Sequence, residues 1–103
     1  MSDIIEKLET ILQDRKTKDP EDSYVSSLYS KGNQDICDKI TEEASELVDA
    51  TKDGKARVVH ETADLLFHVL VLLASLDIKY ATILDELTKR SVSYTHLTLP
   101  TKA

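Results

Sequence analysis

The sequence has few of the residues that several common kinds of site require. It contains one cysteine, two glycines, two prolines, one phenylalanine and no tryptophan among 103 residues. A single thiol, Cys37, can form neither an intramolecular disulfide nor a thiolate metal site, and we expect it to pack as a small apolar residue on the inner side of its helix. Two glycines exclude both a P-loop and a glycine-rich dinucleotide fingerprint. Any phosphate must therefore be bound without a glycine-rich loop.

Positive charge is also scarce, with 13 Lys and Arg against 19 Asp and Glu and a formal net charge of −6. This balance argues against a nucleic-acid partner, because such binding depends on cations that neutralise phosphates. The longest apolar run, 65–76, is interrupted by His68 and Ser75 and is shorter than the roughly 20 residues that span a bilayer. It predicts a core helix and no membrane partner. The start of the chain has neither the basic region nor the apolar run of a signal peptide, so we expect a cytoplasmic protein.

Apolar residues recur at helical spacing along most of the chain, which predicts an all-α bundle of four to five helices. The predicted helices cover 3–15, a short segment from the N-cap Asp19 to about residue 30, then 34–52, 55–76 and 80–90. Gly32 supplies the stop of the second helix, and Asn33 is the expected cap of the third. Asp53-Gly54 predicts a tight turn that makes the third and fourth helices antiparallel neighbours. A core of this size gains from dimerisation, so we expect a homodimer.

Two acidic runs lie on these two neighbouring helices. Lys39, Glu42, Glu43 and Glu46 fall within roughly a 100° arc of the third helix, beside an apolar stripe. Glu61 and Asp64, with His68 one turn beyond, share a face of the fourth helix, which is apolar almost all round. Unpaired carboxylates on a central helix would each cost several kcal/mol, so a positive group is expected to meet them.

The turn at Gly54 places the two runs at similar heights, because Glu46 lies eight residues before it and Glu61 seven residues after it. Two pairs of carboxylates on facing helices then offer four hard oxygen ligands. Mg²⁺ binds such oxygens at about 2.1 Å and takes its remaining ligands from water and substrate phosphates, and Mn²⁺ is an alternative. The simpler interpretation is a solvated acidic face paired with Lys39, Lys52 or Arg57. That face would explain the first run but not the second.

The spacing Glu-Glu-x-x-Glu followed by Glu-x-x-Asp resembles the MazG-type all-α nucleotide pyrophosphatases. Within them, residues 4–90 resemble the phosphoribosyl-ATP pyrophosphatase family of histidine biosynthesis. The residues that carry this resemblance are Arg15, Asp19-Pro20, Ser23-Tyr24, Leu28, Gly32, Lys39, Glu42-Glu43-Ala44, Glu46, Glu61 and Asp64-Leu65-Leu66-Phe67-His68.

The resemblance implies a MazG-like bundle that hydrolyses the α–β phosphoanhydride of phosphoribosyl-ATP to phosphoribosyl-AMP and pyrophosphate with Mg²⁺. It also implies roles for matching positions: metal ligands Glu43, Glu46, Glu61 and Asp64; catalytic carboxylates Glu42, Glu43 and Glu46; and nucleotide-substrate contacts Arg15, Ser23, Tyr24 and Lys39. Blander interpretations stay open for individual residues. Arg15 would cap its helix, Tyr24 would be a half-buried aromatic, and Lys39 would pair with the acidic cluster.

Two other functions stay open at this stage. One is a MazG-type pyrophosphatase of other nucleoside triphosphates, which would use the same site. The other is a non-catalytic acidic helical module for dimerisation.

The chain divides at residue 90 into a pyrophosphatase-like domain, 1–90, and an atypical tail, 91–103. The tail lacks helical periodicity and predicts an extended or disordered segment. It also lacks the glycine- and serine-containing segment with which the family continues, and it resembles translated adapter DNA. We therefore expect it to be foreign to the native protein.

Overall fold

Helices account for nearly all of the regular structure in the computed structural model, which describes the backbone of residues 3–96 and the side chains of residues 4–91. The five α-helices are α1 (Asp3–Asp14), α2 (Tyr24–Lys31), α3 (Asn33–Ala50), α4 (Lys55–Ser75) and α5 (Tyr80–His96), and a 3₁₀ turn, Arg15–Thr17, follows α1. The all-α prediction is confirmed.

The hairpin of α3 and α4 is the most extensive helix pair of the fold. The turn between them contains Gly54, whose φ of 108° lies in the left-handed region that favours glycine. As predicted, the connection is short enough to make the helices antiparallel. Ile36 is fully buried on the predicted apolar stripe of α3, and Glu43 is buried beside that stripe.

The apolar core lies towards the C-terminal half of α4, where α1 and α2 pack against the hairpin. Its buried members are Leu12, Val25, Leu28, Ile36, Leu70, Val71 and Ala74. Two hydrogen bonds tie the small helices to one another: the Tyr29 hydroxyl donates to the Leu12 carbonyl, and the Ser26 hydroxyl donates to the Arg15 carbonyl. These contacts hold α2 across the end of α1.

The second helix begins four residues later than predicted. Its N-cap is Ser23, whose hydroxyl oxygen accepts from the Ser26 amide at 3.2 Å. Asp19 instead closes a turn of its own, because its side chain accepts from the Glu21 amide at 2.9 Å. Asn33 is the first residue of α3 and Gly32, with φ of 103°, takes the cap position.

The environment predicted for Cys37 is wrong, because its side chain is exposed. Ile36 takes the buried position, and the next residue is rotated by about 100° around the helix axis.

The prediction for 91–103 also fails in part, since α5 continues as a helix to His96. Residues 97–103 lie outside the described residues, and the foreign origin of the tail stays a prediction.

Within the described part of the chain, α4 is the one helix whose length and hydropathy would allow it to cross a membrane. This is weak evidence for a membrane, because the core helix of a water-soluble protein meets the same criteria. Here α4 carries the buried polar residues Glu61 and His68 and contributes Leu70 and Val71 to the core.

Candidate active site

The α3–α4 hairpin brings the two acidic runs together. Glu43, Glu46 and Glu61 each place a carboxylate oxygen within 4.8 Å of the others. The first two lie one helical turn apart on α3, and Glu61 reaches them from α4 across the hairpin. The predicted proximity of the runs is therefore present, while their role as metal ligands stays a prediction.

Glu43 and Glu61 are buried, with only 7% and 8% of their surfaces exposed. In each carboxylate the Oε1 atom is buried and has no hydrogen-bond partner. A buried acceptor without a partner costs about 1–3 kcal/mol, and more for a charged group. Two such atoms in one small cluster favour a bound cation with hard oxygen ligands, which is the chemistry of Mg²⁺ or Mn²⁺.

One cation from each helix compensates part of this charge. The Lys39 ammonium lies 3.3 Å from Glu42 Oε1 and 3.8 Å from Glu43 Oε2. The Arg57 Nε lies 3.7 Å from Glu61 Oε2, and its guanidinium also pairs with Asp53. In both buried glutamates the cation approaches the Oε2 atom. The opposite oxygen is left free for another ligand.

Asp64 stands slightly apart from the other three predicted ligands. Its carboxylate groups with Glu61 and His60 within 4.8 Å, and the His60 Nε2 lies 3.3 Å from Asp64 Oδ2. The four predicted ligands therefore form two sets that share Glu61. His60 is exposed on the surface of α4, and its pairing with Asp64 was not predicted; the i,i+4 spacing of the two residues was the available signal.

The electrostatics of Glu46 reflect this crowding. Desolvation raises the pKa of the Glu46 carboxyl, and the neighbouring negative charges of Glu43 and Glu61 raise it further. Lys39 lowers it, but by less. A cation bound between these carboxylates would relieve the repulsion that the two helices impose on Glu46.

Tyr24 and His68 meet at the edge of the acidic cluster. The Tyr24 hydroxyl lies 2.8 Å from His68 Nε2, and His68 Nδ1 lies 3.0 Å from the Asp64 carbonyl oxygen. His68 is 6% exposed, whereas Tyr24 is 52% exposed. No local pattern in the sequence predicts this pair, because 44 positions separate its members.

The remaining predicted substrate contacts occupy different surroundings. Ser23 caps α2 next to Tyr24. Lys39 pairs with the acidic cluster, which agrees with the blander interpretation of this residue. The Arg15 side chain pairs with Asp14 at 2.7 Å and has no other ion pair or hydrogen bond among the described residues. The structure thus gathers Tyr24 and Lys39 near the carboxylates but not the Arg15 guanidinium.

Comparison with known proteins identifies the family of the chain. The model of the phosphoribosyl-ATP pyrophosphohydrolase family matches residues 5–91. The chain belongs to this family. The resemblance inferred from the two acidic runs is confirmed, and all residues named above for the site lie inside the matched range.

Curated relatives from three bacteria carry the name phosphoribosyl-ATP pyrophosphatase. The protein of Vesicomyosocius okutanii is 50% identical over 91 residues, and that of Ruthia magnifica is 47% identical over 91 residues; in both cases the aligned part is 87% of each chain. The protein of Geobacter sulfurreducens is 47% identical over 89 residues, which is 85% of this chain and 82% of the relative. The similarity to members of the phosphoribosyl-ATP pyrophosphohydrolase family thus extends over the whole α3–α4 hairpin.

Proposed function

We propose that this chain hydrolyses the α–β phosphoanhydride of phosphoribosyl-ATP, releasing phosphoribosyl-AMP and pyrophosphate, as a step of histidine biosynthesis. Membership of the phosphoribosyl-ATP pyrophosphohydrolase family supports the reaction and the nucleotide substrate. The observation that carries the choice of site is the pair of buried, unpartnered oxygens, Oε1 of Glu43 and Oε1 of Glu61, in one cluster with Glu46.

The cofactor in this proposal is Mg²⁺, with Mn²⁺ as an alternative. Glu43, Glu46, Glu61 and Asp64 would hold it, since they supply only carboxylate oxygens and two of them are unsatisfied. When bound, the ion would neutralise phosphate charge and favour ionisation of a water molecule. The ligand type supports this choice of metal, because carboxylate oxygens are hard ligands that suit Mg²⁺ and Mn²⁺.

The side chains around the ligands have complementary tasks in the proposal. Glu42 is about half exposed, with 54% of its side chain accessible, so it can accept a proton from an attacking water. Lys39 holds Glu42 and Glu43, and Arg57 holds Glu61, so that each carboxylate keeps its position before substrate arrives. Ser23 and Tyr24 lie where substrate would approach, and Arg15 would have to leave Asp14 to reach a phosphate.

We also propose that the protein is a cytoplasmic homodimer. Large apolar side chains are exposed on the two helices that build the site, with Val48 of α3 at 70% and Val59 of α4 at 68%. Leu84 and Leu87 of α5 are also close to half exposed. Burying such positions against a second copy would be favourable at about 25 cal/mol per Å² of apolar surface. Light scattering of the wild type and of Val59→Asp would test it, with a dimer expected only for the wild type.

The first test of the function is pyrophosphate release with Mg²⁺ from phosphoribosyl-ATP and, separately, from a panel of nucleoside triphosphates. We expect release from phosphoribosyl-ATP and its loss in Glu43→Gln. The variant Glu21→Gln, at an exposed loop position, is the matched control and should keep its activity. Release from the triphosphates alone would replace this substrate with the wider MazG-type activity. Full activity of Glu43→Gln would refute the site assignment.

A further inference from the structure

The His68 ring makes one hydrogen bond through each of its nitrogens. Nδ1 lies 3.0 Å from the Asp64 carbonyl oxygen, and Nε2 lies 2.8 Å from the Tyr24 hydroxyl. A carbonyl oxygen can only accept a hydrogen bond, so Nδ1 must carry the proton that it shares with Asp64. In a ring with one proton, Nε2 is then bare and can only accept.

For the ring with one proton, the direction of the second hydrogen bond follows from the first. Because Nε2 accepts, the Tyr24 hydroxyl must donate its only proton to His68. Desolvation raises the pKa of the Tyr24 hydroxyl above its usual value, so the tyrosine has that proton to give. Neither partner of the ring is charged, and one ring proton satisfies both contacts.

The Tyr24 oxygen is then left with lone pairs only. Its side chain is 52% exposed, and it lies close enough to Lys39, Glu43 and Asp64 to interact electrostatically with all three. A phosphate oxygen is also an acceptor, so it gains no hydrogen bond from a tyrosine oxygen in this state. A hydroxyl or an N–H group would gain one.

We propose that His68 orients Tyr24 as a hydrogen-bond acceptor at the edge of the carboxylate site, where Tyr24 receives a hydrogen bond from a sugar hydroxyl or base N–H of the nucleotide and not from its phosphates. Tyr24 is then a specificity residue, and His68 is the positioning residue that sets its direction. This inference rests on the proposed function and names the part of the substrate that Tyr24 contacts.

Binding of the two products separates this role from a phosphate contact. We would measure the affinity of phosphoribosyl-AMP and of pyrophosphate, each with Mg²⁺, by calorimetry on the wild type and Tyr24→Phe. Removing one neutral hydrogen bond should weaken phosphoribosyl-AMP binding about three- to tenfold and leave pyrophosphate binding unchanged. Tyr80→Phe is the matched control, because it also removes one tyrosine hydroxyl but lies at the start of α5, outside the contacts that position α2. It should leave both affinities unchanged.

The ring itself provides a readout that does not depend on any ligand. Nitrogen NMR of histidine-labelled protein should show His68 with a protonated Nδ1 and a bare Nε2, and Tyr24→Phe should shift the Nε2 resonance most. A proton on Nε2, on either tautomer or on the doubly protonated ring, would overturn the proposal. Weaker pyrophosphate binding in Tyr24→Phe would overturn it as well. A wild type that binds neither product would instead refute the proposed function, while the ring tautomer would still decide the direction of the hydrogen bond.

Discussion

The N-terminal half of α4 places Glu61 beside the carboxylates of α3, whereas its C-terminal half places Leu70 and Val71 in the apolar core. Both halves contain buried side chains, but the buried atoms differ. At the core end, the buried side chains of Leu70, Val71 and Ala74 are apolar and gain from leaving water. At the site end, Glu61 has a buried oxygen without a partner, which costs free energy. The apolar burial in one half of α4 therefore offsets the free-energy cost of the charged cluster in the other half.

Of the substitutions that separate the two halves of α4, Glu61→Gln should have the largest effect on activity. If Glu61 binds the proposed metal ion, replacing this shared carboxylate should lower kcat/KM with Mg²⁺ by about two to three orders of magnitude, because it removes one negative charge from the site. The free energy of unfolding without metal should stay about the same. A neutral amide is cheaper to bury and removes the repulsion from Glu46, which offsets the loss of the 3.7 Å ion pair with Arg57. Steady-state kinetics and urea denaturation check the two halves of this prediction. A variant that loses activity only because it unfolds would contradict it.

Leu70→Ala should have the opposite effect and lower stability while it leaves activity nearly unchanged. This side chain is 2% exposed, so truncation should lower the free energy of unfolding by about 2–5 kcal/mol. Activity of the remaining folded protein should be close to that of the wild type, because Leu70 belongs to the apolar core and not to the carboxylate clusters. Denaturation curves combined with activity at low temperature would reveal this separation. A large drop in kcat of the folded fraction would show that the two ends are coupled.

Metal should stabilise the folded chain through the site end alone. At a free Mg²⁺ or Mn²⁺ concentration 100 times its Kd, binding to the native state adds about 2.7 kcal/mol to the free energy of unfolding. Leu70→Ala should show the same increment, and Glu61→Gln should show little or none. Thermal melts over a range of metal concentrations measure all three. An equal increment in Glu61→Gln would mean that the ion binds elsewhere.

The smallest predicted effects are two pH dependences of opposite sign. Burial and like charges raise the folded-state pKa of Glu46 above its usual 4.5. The folded state then holds its proton more tightly than the unfolded state, so this stabilisation is present below pH 4.5 and is lost as pH rises through the raised pKa. Denaturation of metal-free protein across this range should show the decline, and Glu46→Gln should abolish it.

Asp77, in the turn after α4, should behave in the opposite way. A hydrogen bond from Lys16 at 2.8 Å lowers the folded-state pKa of the Asp77 carboxyl below its usual 3.8. Its contribution is therefore present above pH 3.8 and is lost as pH falls through the lowered pKa. Lys16→Met should remove this acid-side loss, which acid titration of the two proteins would measure. An unchanged acid limb would place the stabilisation in another group.

The sequence predicted the parts of the fold that depend on periodicity and local register. The hairpin, the burial of Ile36 on α3 and the meeting of Glu46 with Glu61 all follow from helical geometry and one tight turn at Gly54. The late start of α2 was missed, because Asp19 and Ser23 are both good caps and only tertiary contacts decide between them. The extension of α5 to His96 was missed because that segment has no apolar periodicity.

Contacts between segments that are distant in the sequence could not be predicted from helical periodicity. Tyr24 meets His68 through the tertiary packing of α2, which contacts α3 and is tied to the end of α1 by Ser26 and Tyr29. No spacing in the sequence encodes this contact. The division of the acidic residues into two sets that share Glu61 also depends on side-chain conformations. Helical geometry predicts which residues share a face, but it does not predict which side-chain atoms come into contact there.

The short link at Gly54 also has a consequence for the order in which the molecule assembles. Glu46 and Glu61 are separated by 15 positions, so they can meet as soon as the hairpin forms, whereas the core must bring Leu12 against Val71 from a distance of 59 positions. Local contacts close faster than distant ones. Mutual repulsion of the carboxylates opposes that early closure, and a divalent cation present during refolding would remove the repulsion. The ion would then act first as an aid to nucleation, before any substrate is bound.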